Sequence, residues 1–154
     1  FVRVTDPEQR KAIRAAAWDQ AQVTDASELL VLCFDNKAWE RNPQRYWRNA
    51  PQEVQDYLVP AIDAYYRDKP QVERDEGMRS CGLVGQAIML MAQELGYQTC
   101  PMDGFDFDAV ARIINLTDDH SIAFMIAIGK GTKDPWPKPG QLELDEVMVS
   151  NRFD

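Results

Sequence analysis

The segment Cys100-Pro101-Met102-Asp103-Gly104-Phe105-Asp106 has the clearest capacity for chemistry, because it sets a glycine and a stiffening proline in a short connection between two helical patterns. Gly104 can take up a positive φ or let backbone come close to a flat bound group, and Pro101 restricts the approach. A plain helix-to-helix turn accounts for the same residues. A second candidate set is aromatic: Trp39, Tyr46 and Trp47, followed by Tyr57, Tyr65 and Tyr66, stand among many charges. They either pack beneath an excursion or form a lid over a planar substrate, and their spacing does not decide between the two. Gly129-Lys130-Gly131-Thr132 invites a phosphate-loop reading, but the earlier glycine and the following helix of that motif are missing.

Other chemistries are disfavoured by composition. A net charge of −8, with basic residues scattered along the chain, argues against nucleic acid as a partner. The three cysteines, Cys33, Cys81 and Cys100, are an odd number without CxxC spacing, as expected of free thiols in a reducing compartment. The single histidine, His120, follows Asp118-Asp119 in an expected solvated turn, so neither a metal site nor a Ser-His-Asp triad is expected. No apolar run is long enough to span a membrane, and Phe1-Val2-Arg3-Val4 lacks the pattern of a secretory signal, which together read as a soluble, cytoplasmic protein.

The elements that must position these residues follow from periodicity. The 154 residues suit one domain around one core. After an opening strand, Thr5-Asp6-Pro7-Glu8 starts a helix running to about Trp18, with Thr5 or Asp6 as cap and Pro7 in the first turn. Leu29-Leu30-Val31-Leu32-Cys33-Phe34 and Ile122-Ala123-Phe124-Met125-Ile126-Ala127-Ile128 are continuous apolar runs, which predicts two central strands covered on both faces. Between them, amphipathic helices broken near Pro43, Pro51 and Pro70 fit residues 36–70. Asp75 to Gly96 reads as a helix buried nearly all round and stopped by Gly96, with Gly82 and Gly85 allowing another helix to approach. Phe105 to Leu116 reads as a short helix. The proline-rich stretch Lys133 to Gln141 is an extended arm with no core of its own, and Leu142 to Val149 recovers strand character, so the chain is expected to reach another subunit and pair there.

The order of these elements resembles the FMN-dependent nitroreductase family. The resemblance is carried by Thr5-Asp6-Pro7-Glu8, Thr24-Asp25-Ala26-Ser27 before the first apolar strand, Glu94-Leu95-Gly96-Tyr97, Pro101-Met102-Asp103-Gly104-Phe105, the strand closing with Gly129, the arm with Lys138, and Asp145-Glu146-Val147. It implies an α+β fold in which a mostly antiparallel central sheet is flanked by helices, in a homodimer whose C-terminal arm, residues 130–154, is exchanged between subunits and adds a strand to the partner's sheet. It also implies that Pro101, Met102, Asp103 and Gly104 bind FMN, with a backbone N–H near Asp103 or Gly104 directed at the flavin N5, where a fixed amide orients the ring without adding a titrating acid. The Asp103 side chain is then free to cap the helix that follows. Lys138 is implied to contact the FMN phosphate as a point charge; two residues on, where many relatives carry arginine, this chain has Gly140.

The activity so implied is hydride transfer from NADH or NADPH to FMN and then reduction of a nitroaromatic, quinone or similar planar acceptor by a two-step (ping-pong) mechanism. No side chain need be a nucleophile or general base, and no metal is required. Trp39, Tyr46 and Trp47 become candidates for a substrate lid contributed to the partner's site. The family's Arg-rich opening and Asn-containing loop lie upstream of the strand that begins here, so the single domain is expected to be N-terminally incomplete. Two other functions are compatible with the same residues: a flavoenzyme of the same fold with different chemistry, such as dehalogenation or flavin fragmentation, and a non-enzymatic dimeric module lacking the cofactor.

Overall fold

The computed structural model describes residues 1–153; Asp154, the last residue of the expected arm, lies outside the described residues. Four strands, β1 (Val2–Arg3), β2 (Glu28–Asp35), β3 (Gln98–Met102) and β4 (His120–Gly129), form one sheet in the order β1-β2-β4-β3. All three pairings are antiparallel. The two apolar runs are therefore central, and alternation along them sends Leu29, Val31, Met125 and Ala127 to one face and Leu32 and Ile126 to the other. The register steps from Leu32–Phe124 to Cys33–Ile122, passing over Ala123, a bulge that bends the sheet end carrying Asp35 and His120. His120 thus opens β4 opposite Asp35 rather than sitting in a turn.

One face of the sheet is covered by α1 (Pro7–Ala16), α2 (Gln22–Asp25) and α5 (Phe107–Ile113), whose Ile13, Val23 and Val110 are fully buried against Leu29, Val31 and Met125. Asp6 caps α1, its carboxylate accepting from the N–H groups of Glu8 and Gln9, both at 2.8 Å. The other face is covered by α4 (Pro70–Glu94), preceded by a 3₁₀ turn at Pro43–Tyr46 and by α3 (Gln52–Tyr66). Pro60 lies inside α3, whereas Pro43, Pro51 and Pro70 all stand at element starts. Gly96, at φ 76°, ends the α4 segment as the sequence suggests.

Four further expectations are corrected. α4 is buried on one side only: Cys81, Gly85 and Ala92 face the sheet, while Leu83 is 76% exposed and Leu90, Met91 and Leu95 are also exposed. The close approach at Gly85 is made by the sheet rather than by a helix, since a Cβ there would lie 2.4 Å from the Phe124 ring, and Gly82 faces open space. The connection after α4 contains the edge strand β3, whose Pro101 lacks an N–H and is tolerated at a sheet edge. Finally, Leu142 to Val149 is not a strand. Residues Leu144–Val147 form one helical turn, α6, closed by a capping box between Glu143 and Glu146, a local arrangement that needs no neighbouring strand edge.

Candidate functional site

The Pro101–Gly104 segment leaves the sheet at the end of β3. Met102 is buried opposite Met125, and Asp103 and Gly104 emerge beyond it. Two backbone acceptors here are occupied: the Asp103 carbonyl accepts from the Phe105 N–H at 3.1 Å, and the Gly104 carbonyl accepts from Gln20 Nε2 at 2.8 Å. The N–H groups of Asp103 and Gly104 donate to no group among the described residues. Asp106, not Asp103, caps α5, its carboxylate accepting from the Ala109 N–H at 2.9 Å, so the capping role considered for Asp103 is filled by another residue.

Gly104 does not have a positive φ. A Cβ there would stand 2.6 Å from the Trp18 ring, so any side chain at this position makes the indole move aside. Trp18 itself is held at φ 53° after α1 and is 76% exposed. Trp18 and Gln20 are the residues that sequence reasoning missed. The Gln20–Gly104 hydrogen bond spans 84 residues, and no local pattern signals it.

The lid candidates Trp39, Tyr46 and Trp47 do come together. With Phe34, Asp35, Tyr66 and Glu73 they line a cavity of ≈ 450 Å³ between the 36–70 excursion and α4. Tyr66 stacks on Trp39 with centroids 6.2 Å apart, and the cations of Lys37 and Arg67 lie 5.5 Å and 5.3 Å from the Trp39 ring. Trp39 is only 7% exposed. The indole Nε1 atoms of Trp39 and Trp47 are both fully covered and have no hydrogen-bond partner among the described residues, a condition that costs about 1–3 kcal/mol for each donor.

Lys138 is brought to neither place. It lies on the exposed arm of residues 130–141, which has no helix or strand. Lys130 is committed elsewhere, donating to the Gly96 carbonyl at 2.5 Å with its ammonium 4.5 Å from the Tyr97 ring centroid, which removes the phosphate-loop reading. Burial pushes the Cys33 thiol up to about 11 and raises the Cys81 thiol as well, so neither supplies a thiolate at neutral pH. No group of His, Cys, Asp and Glu able to hold a metal is found, and no helix is long and apolar enough to cross a membrane, among the described residues.

A polar cluster ties the excursion to the bulged sheet end. The Thr117 hydroxyl, the Arg41 guanidinium and His120 Nδ1 all meet the Asp119 carboxylate, and Arg41 also reaches Asp35 at 3.4 Å. These partners, the Thr117 hydrogen bond foremost, hold the Asp119 carboxyl well below the usual carboxylate range. A depressed folded value contributes stability that is present above the unfolded value of about 3.9 and lost as pH falls through the folded one. Asp119→Asn is therefore expected to lower the thermal midpoint at neutral pH, with the deficit shrinking only below about pH 4. A deficit that stays constant across that range would contradict this account.

The Nitroreductase family model matches residues 1–130. The chain is 46% identical over 153 residues to Protein DrgA of Synechocystis, covering 96% of this chain and 73% of that protein. It is 32% identical over 136 residues to the Bacillus subtilis protein named "Putative NAD(P)H nitroreductase MhqN", covering 84% of this chain and 66% of that one. A nitroreductase-fold crystal structure from Exiguobacterium sibiricum, described as a complex with FMN, superposes with a TM-score of 0.84 at 25% identity, over 97% of this chain and 74% of that one. The antiparallel sheet, its helical layers and these matches lead to one conclusion: the chain belongs to the Nitroreductase family.

Proposed function

We propose that this chain is an FMN-dependent oxidoreductase that takes hydride from NADH or NADPH and reduces nitroaromatic, quinone or similar planar acceptors in two half-reactions, as a homodimer. The observation that carries the reading is the pair of undonated N–H groups at Asp103 and Gly104, fixed at the end of a sheet strand in a member of this family. Two adjacent backbone donors without internal partners are suited to a flat, acceptor-rich ring, and they bring no titrating group to it. When bound, FMN supplies reversible hydride acceptance. Pro101 and Met102 hold the donor pair through β3, and the Asp103 carbonyl, accepting from the Phe105 N–H at 3.1 Å, fixes the peptide plane that carries the Gly104 N–H.

A second copy has a natural seat. Leu83, Leu90 and Met91 form an exposed apolar face on α4, and Gly82 beside them would let another helix come close. Residues 130–154 then serve as the arm that crosses to that copy within a single domain comprising the whole chain, bringing Lys138 to the FMN phosphate, and Trp39, Tyr46 and Trp47 serve as the lid over the acceptor.

The test is the visible spectrum of the purified protein. Bound oxidised flavin is yellow, is bleached by NADH or NADPH, and regains its colour on addition of a quinone or nitroaromatic. Protein that is colourless and takes up no added FMN would overturn the proposal. The placement of the turn needs a finer probe, because Gly104→Val meets Trp18 first and is expected to lower the melting temperature even without flavin. In a Trp18→Ala background that structural loss is relieved, and the expected remaining effect is at least a tenfold loss of FMN affinity. Unchanged FMN affinity in the double variant would place the flavin elsewhere.

A further inference from the structure

We propose that residues 38–69 are a hinged flap held shut by one side chain, Arg41, which bridges the Asp35 and Asp119 carboxylates at the bulged end of the sheet. The flap has little else to hold it down. Neither the turn Pro43–Tyr46 nor α3 contributes a buried residue, and a cavity of ≈ 450 Å³ lies between the excursion and α4, where a fixed element would be packed. Its other side-chain hydrogen bonds stay within it: Gln52 donates to Asp56, Gln55 to the Ala50 carbonyl, Arg67 to Asp63 and Lys69 to the Tyr65 carbonyl. Among the described residues, Arg41 is the one side chain of this segment that bonds to another part of the chain.

The two acceptors are themselves fixed. Asp35 ends β2 and accepts from the Lys37 N–H at 2.8 Å, and Asp119 accepts from the Thr117 hydroxyl at 2.6 Å. The root of the flap is fixed as well, since the Asn36 N–H donates to the Asp119 carbonyl at 2.8 Å and the Lys37 ammonium lies 3.3 Å from Glu73. Movement therefore begins beyond Lys37, and at the far end Asp68, at φ 60°, turns the chain into α4. The Trp39 and Trp47 indole N–H groups oppose closure. Both are covered and without a partner while the flap is shut, and both gain water when it lifts. The closed state thus sets the Arg41 bridge against two unmet donors, and loss of the bridge releases them.

A role for this clamp in turnover rests on the lid reading of Trp39, Tyr46 and Trp47; the clamp itself does not. Its test is backbone amide hydrogen exchange, read segment by segment on protein without NADH, NADPH or acceptor. Arg41→Met is expected to speed exchange of the α3 amides by about fivefold or more and to leave the amides of β2 and β4 at parent rates. Arg41→Lys, which keeps the charge without the fork, should recover part of the protection. Asp119→Asn should speed α3 exchange in the parent and add less than about twofold in the Arg41→Met background, because the partner is already gone. Raising salt from about 0.1 M to about 1 M shortens the screening length from about 10 Å to about 3 Å, so it should speed α3 exchange in the parent more than in Arg41→Met.

Unchanged α3 exchange in Arg41→Met, faster exchange spread equally over β2 and β4, or additive effects of Arg41→Met and Asp119→Asn would overturn the clamp and leave the flavin reading untouched. If the flap opens as expected but acceptor reduction by the reduced, FMN-loaded protein keeps its parent rate, the clamp stands and the lid role falls.

Discussion

Removal of Lys138 through Asp154 is expected to abolish the stable dimer and FMN retention together. Residues 130–141 have no regular structure, and Trp136 is 94% exposed, which is costly for a side chain of that size unless something covers it. Pro135, Pro137 and Pro139 keep the segment extended, and at about 3.1 Å per residue it has a reach of about 35 Å, enough to cross a neighbouring subunit. In the proposed homodimer, the exposed α4 face with Leu83, Leu90 and Met91 would supply the apolar centre of the contact, and the arm would supply area beyond it. Light scattering coupled to size exclusion, with absorbance recorded in the flavin band, reads both consequences in one experiment. Lys138→Ala separates them: the dimer is expected to persist while FMN affinity falls about tenfold through loss of one charged phosphate contact. A truncated protein that stays dimeric and yellow would remove the arm from the model.

The features readable in the sequence are those governed by local rules or by burial on both sides. Leu29 to Phe34 and Ile122 to Ile128 carry no alternation because helices cover both faces of β2 and β4, and continuous apolar runs signal that directly. Asp6 and Gly96 mark helix ends through bonding and backbone geometry confined to a few residues. β3 was hidden by its own composition. Gln98, Thr99 and Pro101 suggest a turn, and only the position at the sheet edge makes them acceptable in a strand. α4 reads as buried all round because its apolar residues fall on every side of the helix, but the sheet covers only the side with Cys81, Gly85 and Ala92.

The candidate site divides along the same line. The aromatic content of residues 36–70 pointed to Trp39, Tyr46 and Trp47 as a group, and they share a cavity. The reason for Gly104 could not be read, because the ring it avoids belongs to Trp18 at the far end of α1. The Pro101–Gly104 connection was legible as a place of close backbone approach, but the approaching group in the chain itself is an indole.

The second large effect is expected at Arg10, a residue with no part in any proposed chemistry. Its side chain is 8% exposed, and its guanidinium donates to three backbone carbonyls, those of Val4 at 2.9 Å, Ala26 at 2.5 Å and Ser27 at 3.2 Å. These carbonyls lie just after β1 and just before β2, so one side chain on α1 fixes both segments to the helix that covers them. Arg10→Met preserves much of the apolar stem and removes every donor. Hydrogen bonds from a charged donor contribute about 1.5–3 kcal/mol each, and a buried carbonyl left unpaired adds a desolvation penalty, so a loss of about 3–5 kcal/mol is expected after relaxation. In a domain of this size that lowers the thermal midpoint by about 10 °C or more. Arg10→Lys, with one compact ammonium in place of a planar fork, should recover only part of the loss because it cannot serve three carbonyls in different directions. Thermal unfolding of the three proteins at matched concentration decides the matter: equal midpoints for the parent and Arg10→Met would show that the buried guanidinium contributes nothing, and equal midpoints for the parent and Arg10→Lys would show that charge alone, without the fork, holds the segments together.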